Sequence, residues 1–65
     1  MDFQAIKARY QAAFAAYDGI MKRNAETALS GVRPSAADLE REEKALRVLS
    51  EARRKLLDAI GRGGG

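Results

Sequence analysis

The sequence predicts an all-α protein, and two observations support this prediction. Large apolar residues recur every three or four positions on both sides of a single central turn. No segment alternates apolar and polar residues with the period of two that is typical of a strand. We therefore expect two helices, at about residues 2–29 and 36–60, folded as an antiparallel hairpin. This hairpin forms one domain over residues 1–61, followed by a disordered tail at 62–65.

The first helix is expected to end at a glycine. Its heptad series occupies positions 3, 6, 10, 13, 17, 20, 24 and 27, which alternate steps of three and four. Gly19 is the weak point of this helix, because glycine costs about 1 kcal/mol relative to alanine in a helix interior. Ser30 and Gly31 mark the end, since glycine readily adopts the left-handed conformation that terminates helices.

The second helix carries a strong start signal. Ser35 stands where an N-cap hydroxyl can accept a hydrogen bond from a free backbone N–H, and Asp38 follows at the capping-box position. Pro34 and Leu39 have the spacing of a hydrophobic staple. About five residues connect the two helices, and such a short connection predicts that they pack antiparallel.

Two alternatives are open for the side of the second helix that faces the first. The heptad series 39, 42, 46, 49, 53, 56 and 60 places Asn24 opposite Glu42 and Ala13 opposite Arg53. In that register Asn24, Glu42 and Arg53 form a polar part of the seam, and the Asn24–Glu42 pair fixes the register. In the other alternative the seam is rotated toward Leu39, Ala45, Leu49, Ala52 and Leu56, and Glu42 points to solvent.

Apolar residues outside the two heptad columns predict association with another helical surface. A seam flanked by a further apolar column is typical of a bundle helix that contacts two neighbours. A chain of 65 residues without cysteine or histidine also lacks disulfides and the usual metal ligands as a means of stabilisation. We expect a homodimeric four-helix bundle, or a complex with a helical protein partner. The expected oligomer interface comprises Phe14, Met21, Ala45, Val48, Ala52, Leu57 and Ala59.

The sequence carries no pattern of catalytic, cofactor or metal chemistry. The chain has no histidine to activate its serine, threonine and tyrosine hydroxyls. The glycines of "GRGGG" follow a helix, whereas a phosphate-binding loop precedes one. We therefore expect no enzyme, no cofactor and no metal site. The longest apolar run, "AAFAAY", is far too short to span a membrane, so we expect a cytoplasmic protein. The bias toward Ala and Arg suggests a bacterial source.

A basic cluster near the end of the second helix raises a different function. The formal net charge is +3, from twelve basic and nine acidic residues, and Arg54, Lys55 and Arg62 could contact phosphate groups. We favour the simpler interpretation that these cations complement the helix dipole and keep the surface soluble. The expected function is a small protein–protein interaction module of self-associating, adaptor or co-chaperone type. The alternative is a basic, RNA-modulating dimer that binds nucleic acid.

Overall fold

The chain forms two helices joined by a short turn. The computed structural model describes the backbone of residues 2–63 and the side chains of residues 2–61. Helix α1 comprises Phe3–Leu29 and helix α2 comprises Ala36–Gly63, and the two helices pack against each other. The all-α, two-helix prediction is therefore confirmed.

Helix α2 extends beyond its predicted end. It continues through residue 63, three residues past the predicted boundary at 60, because no residue before Gly63 forces the backbone out of the helical conformation. Residues 62 and 63, predicted as the start of a disordered tail, belong to this helix. Residues 64 and 65 lie outside the part of the chain that is described.

Local hydrogen bonds end α1 at the turn. Gly31 has a φ of 86°, the left-handed conformation that glycine adopts without steric cost. Its N–H donates to the carbonyl of Ala28 at 3.0 Å, and the N–H of Val32 donates to the carbonyl of Thr27 at 3.2 Å. These two bonds form a Schellman motif, which satisfies carbonyl groups that the last helical turn leaves free. The helix therefore ends at the predicted residue.

A capping box starts α2. The backbone N–H of Asp38 donates to the hydroxyl of Ser35 at 3.1 Å. In return the N–H of Ser35 lies 3.4 Å from a carboxylate oxygen of Asp38. The first turn of α2 thus begins with its orphan donors satisfied by the side chains that the sequence pattern indicated.

The hairpin is a thin rod. Its principal extents are 49 × 15 × 15 Å and its radius of gyration is 14.8 Å, whereas a compact domain of this length has a radius of about 11 Å. Ala13, at 8% exposure, and Asn24, at 6%, are the buried residues among the described side chains, and no large side chain among them is fully buried. Two helices in a single layer therefore leave most of their apolar side chains accessible to solvent.

Candidate interaction surface

The helix–helix seam is defined by the side chains with the lowest exposure. On α1 the half-buried or buried seam positions are 6, 10, 13, 17, 20, 24 and 27, which are members of the predicted heptad series. On α2 they are 38, 42, 45, 49, 52, 56 and 59. This second set differs from both predicted alternatives. It includes the alanines of the rotated seam, yet it keeps Glu42 inside and leaves Leu39 outside.

The polar contact at the turn end explains why Glu42 lies in the seam. The side-chain amide of Asn24 donates to the carboxylate of Glu42 at 3.1 Å. The same amide lies 3.2 Å from the backbone carbonyl of Asp38, one turn earlier on α2. To reach both acceptors, Asn24 must sit between positions 38 and 42. These bonds therefore fix both the register and the rotation of α2, and no buried polar side-chain atom among the described residues lacks a partner.

Rotation of α2 moves several residues away from their predicted places. Arg53 is exposed, and Ala52 occupies the seam where Arg53 was expected. Leu46 and Ile60, which were expected in the seam, are about half exposed. Conversely, half-buried positions within the hairpin hold Ala45, Ala52 and Ala59, three of the residues predicted for the oligomer interface. Small alanines thus occupy these seam positions, while Leu46 and Ile60 remain outside.

Large exposed side chains gather on one side of the hairpin. Met21 follows the seam residue Ile20 in the sequence, and Leu57 likewise follows the seam residue Leu56. At about 100° per residue, a residue that follows a seam position lies on one flank of its helix. The helices of an antiparallel pair are related by an approximate two-fold axis normal to the plane that contains them. The residues that follow seam positions therefore lie on the same side of the hairpin in both helices. This apolar face consists of six exposed residues that follow seam positions, Phe14, Met21, Leu39, Leu46, Leu57 and Ile60, together with the exposed Phe3 at the open end.

A shallow groove on the other side of the hairpin confirms this geometry. Its volume is about 400 Å³, and its rim residues all precede seam positions in the sequence. The lining residues are Ile6, Arg9, Ala12, Ala13, Val48, Glu51, Ala52 and Lys55. Val48, which was predicted for the oligomer interface together with Phe14, Met21 and Leu57, therefore lies across the hairpin from them. We call this surface the opposite groove.

Sequence reasoning assigned four members of the apolar face to other places. Phe3, Leu39, Leu46 and Ile60 were counted as part of the intrachain seam, yet each is exposed. The signal that could have corrected this was Asn24, whose amide can serve two acceptors one turn apart only when positions 38 and 42 both face α1.

The predicted phosphate-contacting residues lie toward the open end of the hairpin, away from the turn. Arg54 and Lys55 are exposed, while the side chain of Arg62 lies outside the described residues. Ion pairs in the structure join Lys22 to Asp18 and Arg47 to Glu43, each at 3.0 Å, and Arg41 to Asp38 at 3.2 Å. Arg54 and Lys55 take part in no ion pair within residues 2–61. Arg54 and Lys55 are thus accessible, and Lys55 also lines the opposite groove.

The described residues contain no arrangement suited to a metal or a membrane span. Within residues 2–63, no group of three or more acidic side chains converges on a point where a metal ion could sit. Across the same residues, neither helix combines the length and the apolar character needed to cross a bilayer. Comparisons of the chain with protein-family models, with curated proteins and with solved structures found no match.

Proposed function

We propose that this chain is a non-catalytic protein–protein interaction module that associates with a second copy through the apolar face and forms a four-helix bundle. The apolar face is the observation that carries the proposal. Its seven large apolar side chains are exposed, and exposed apolar surface that gathers on one side of a molecule is typical of interaction sites.

The total surface area supports association. The accessible surface is 5070 Å² for a chain of 7.1 kDa. A compact monomer of that mass exposes about 4,100 Å², so the hairpin carries an excess of about 1,000 Å². A standard protein interface buries about 800 Å² per partner. Covering one face of the rod would therefore bring the exposed surface into the range of a folded globular protein.

A matched pair of substitutions tests the proposal. Leu57 and Val48 are exposed to nearly the same extent, 55% and 58%, but Leu57 belongs to the apolar face and Val48 to the opposite groove. Each Leu57 buried at an interface contributes about 1.5–3 kcal/mol. Since a dimer contains two copies, Leu57→Glu should raise the dimer dissociation constant at least on the order of 100-fold. Val48→Glu should leave it nearly unchanged.

Light scattering across a concentration series measures both variants against the unmodified chain. We expect a dimer at micromolar concentration, a shift toward monomer for Leu57→Glu and no shift for Val48→Glu. A well-folded monomer at every concentration would refute self-association. Equal weakening by the two substitutions would show that the apolar face is not the contact surface.

Nucleic-acid binding is a second candidate because the excess positive charge is not evenly distributed. Residues 17–49, around the turn, carry six basic and six acidic side chains, so the net charge of +3 belongs to the open end. If this end binds phosphate groups, reversing Arg54 and Lys55 together to Glu should abolish retention on RNA at low salt. Affinity should also fall steeply with salt, as counterion release requires. We expect the unmodified chain to show no salt-resistant retention.

A further inference from the structure

Resting on the proposed function, we infer that the second copy lies beside the first with its turn next to the first copy's turn, so that α1 of each copy packs on α2 of the other. The two-fold axis then runs along the length of the rods. In the alternative arrangement the apolar faces also meet, but the two-fold axis runs across the rods. There α1 packs on α1 of the second copy and α2 packs on α2. Ion pairs at the edges of the apolar face distinguish these arrangements.

The register of the hairpin sets the level of each edge residue. Because Asn24 bonds to Glu42, residues whose numbers add up to about 66 lie at the same level along the rod. The ion pair between Asp18 and Lys22 is therefore level with the ion pair between Glu43 and Arg47. The first pair lies along the outer edge of α1 and the second along the outer edge of α2, so within one chain the two pairs are apart.

The proposed arrangement brings these two edges together. With the turns side by side, residues of the two copies meet at the level that they share within one chain. Asp18 then lies beside Arg47 of the second copy, and Lys22 beside Glu43 of the second copy. Opposite charges meet at both places. The ion pair Asp18–Lys22 of one copy and the ion pair Glu43–Arg47 of the other thus form a network of four alternating charges. The two-fold axis repeats this network on the other side of the dimer.

The apolar side chains match in the same arrangement. Met21 lies level with Leu46 of the second copy, and Phe3 lies within two turns of its Ile60, which follows from the same register. Arg53 of the second copy falls level with the exposed ring of Phe14, and its guanidinium can pack on the face of that ring. The face is thus complementary to itself, as an interface with two-fold symmetry requires.

The alternative arrangement brings like charges together. With the two-fold axis at the middle of the rods, stacking α1 on α1 in opposite directions places Asp18 within about one turn of Asp18 of the second copy. On the other side Arg47 comes level with Arg54 of the second copy. Like charges at such contacts oppose association.

The basic open ends oppose the proposed arrangement, because Lys7 and Arg53 follow the seam positions Ile6 and Ala52 and so lie on the side of the apolar face in both copies. Arg9 and Lys55 contribute less to this repulsion, since they line the opposite groove on the far side of a hairpin that is 15 Å thick. At physiological salt charges are screened over about 8 Å. The proposed arrangement brings the edge charges Asp18 and Lys22 within this range of Arg47 and Glu43 of the second copy, and these attractions favour it.

Exchanging the charges within each ion pair tests the inference. The double variant Asp18→Lys with Lys22→Glu keeps the pair within α1 and the net charge, yet it presents like charges to α2 of the second copy. The double variant Glu43→Arg with Arg47→Glu does the same from α2. Each should raise the dimer dissociation constant on the order of tenfold at low salt. Combining all four changes should restore the affinity of the unmodified chain.

Recovery in the combined variant is specific to α1 packing on α2 of the second copy. If α1 instead packs on α1 of the second copy, the combined variant still places like charges opposite each other, and its dimer dissociation constant does not return to that of the unmodified chain. If the unmodified chain is a dimer but the combined variant does not recover its affinity, the inferred orientation is overturned and the proposed function stands. If the unmodified chain is a monomer, both are overturned. Circular dichroism of the four proteins checks that helix content is equal.

A distance measurement gives an independent result. The chain contains no cysteine, so Val32→Cys provides one spin-label position, in the exposed turn. With turns side by side the two labels of a dimer should lie within about 20 Å. At 1.5 Å per residue, opposite turns would separate them by about 40 Å. A distance near the longer value would overturn the inference.

Discussion

The hydrogen bond between Asn24 and Glu42 should be a measurable contributor to stability, and a double-mutant cycle tests it. Asn24 is buried and Glu42 half-buried, and their bond is 3.1 Å long. A hydrogen bond to a charged group contributes about 1.5–3 kcal/mol to stability. Water still reaches Glu42, and so we expect a coupling free energy of about 1–2 kcal/mol between the two side chains.

The cycle uses Asn24→Ala, Glu42→Ala and the double variant, unfolded by denaturant at one fixed protein concentration because the stability of a dimer depends on concentration. Asn24→Ala alone should cost about 2–3 kcal/mol, since it also removes the bond to the Asp38 carbonyl. The exposed pair of Glu43 and Arg47 is the control, with an expected coupling below about 0.5 kcal/mol. A coupling for Asn24 and Glu42 no larger than that of the control pair would refute the reasoning.

Further substitutions at single positions have expected outcomes that thermal melts can check. Gly19→Ala should stabilise by about 0.5–1 kcal/mol, because no neighbouring atom lies within 4 Å of an added Cβ. Gly31→Ala should destabilise by about 1–2 kcal/mol, because φ there is positive. Ser35→Ala should cost about 1 kcal/mol through loss of the cap to Asp38, and a change within error would mean that this cap contributes nothing. Arg53→Leu should be tolerated, since Arg53 is exposed and follows the seam residue Ala52, so that leucine adds apolar area on the side of the apolar face; a loss of stability would contradict this placement.

The two helix ends at the turn could be predicted from the sequence because local chemistry determines them. Gly31 and Ser35 act through bonds to residues within a few positions in the chain, and such signals are legible without knowledge of the tertiary structure. The end of α2 was placed three residues too early, since nothing in "GRGGG" before Gly63 stops a helix as decisively as Gly31 does.

The rotation of α2 could not be derived from its heptad pattern alone. Leu46 and Ala45 belong to neighbouring columns of the heptad pattern, and the pattern allows either column to face α1. Hydrophobicity favours the larger residue for the seam, but the bonds of Asn24 to Asp38 and Glu42 turn the smaller residue inward. A polar side chain therefore selected the seam, and this selection left the larger apolar residues to form the candidate site.

The hydrogen-bonded turn also bears on the order in which the chain folds. Its Schellman motif and capping box join residues at most five apart, so they form with little loss of loop entropy. The Asn24 contact then closes the hairpin at the same end. Folding should begin there and proceed toward Phe3 and Ile60 like a zipper, on the microsecond-to-millisecond timescale of helical proteins with mostly local contacts. Amide protons near the turn should accordingly be the slowest to exchange with solvent. The helix ends away from the turn should unfold and refold locally many times before the molecule unfolds as a whole.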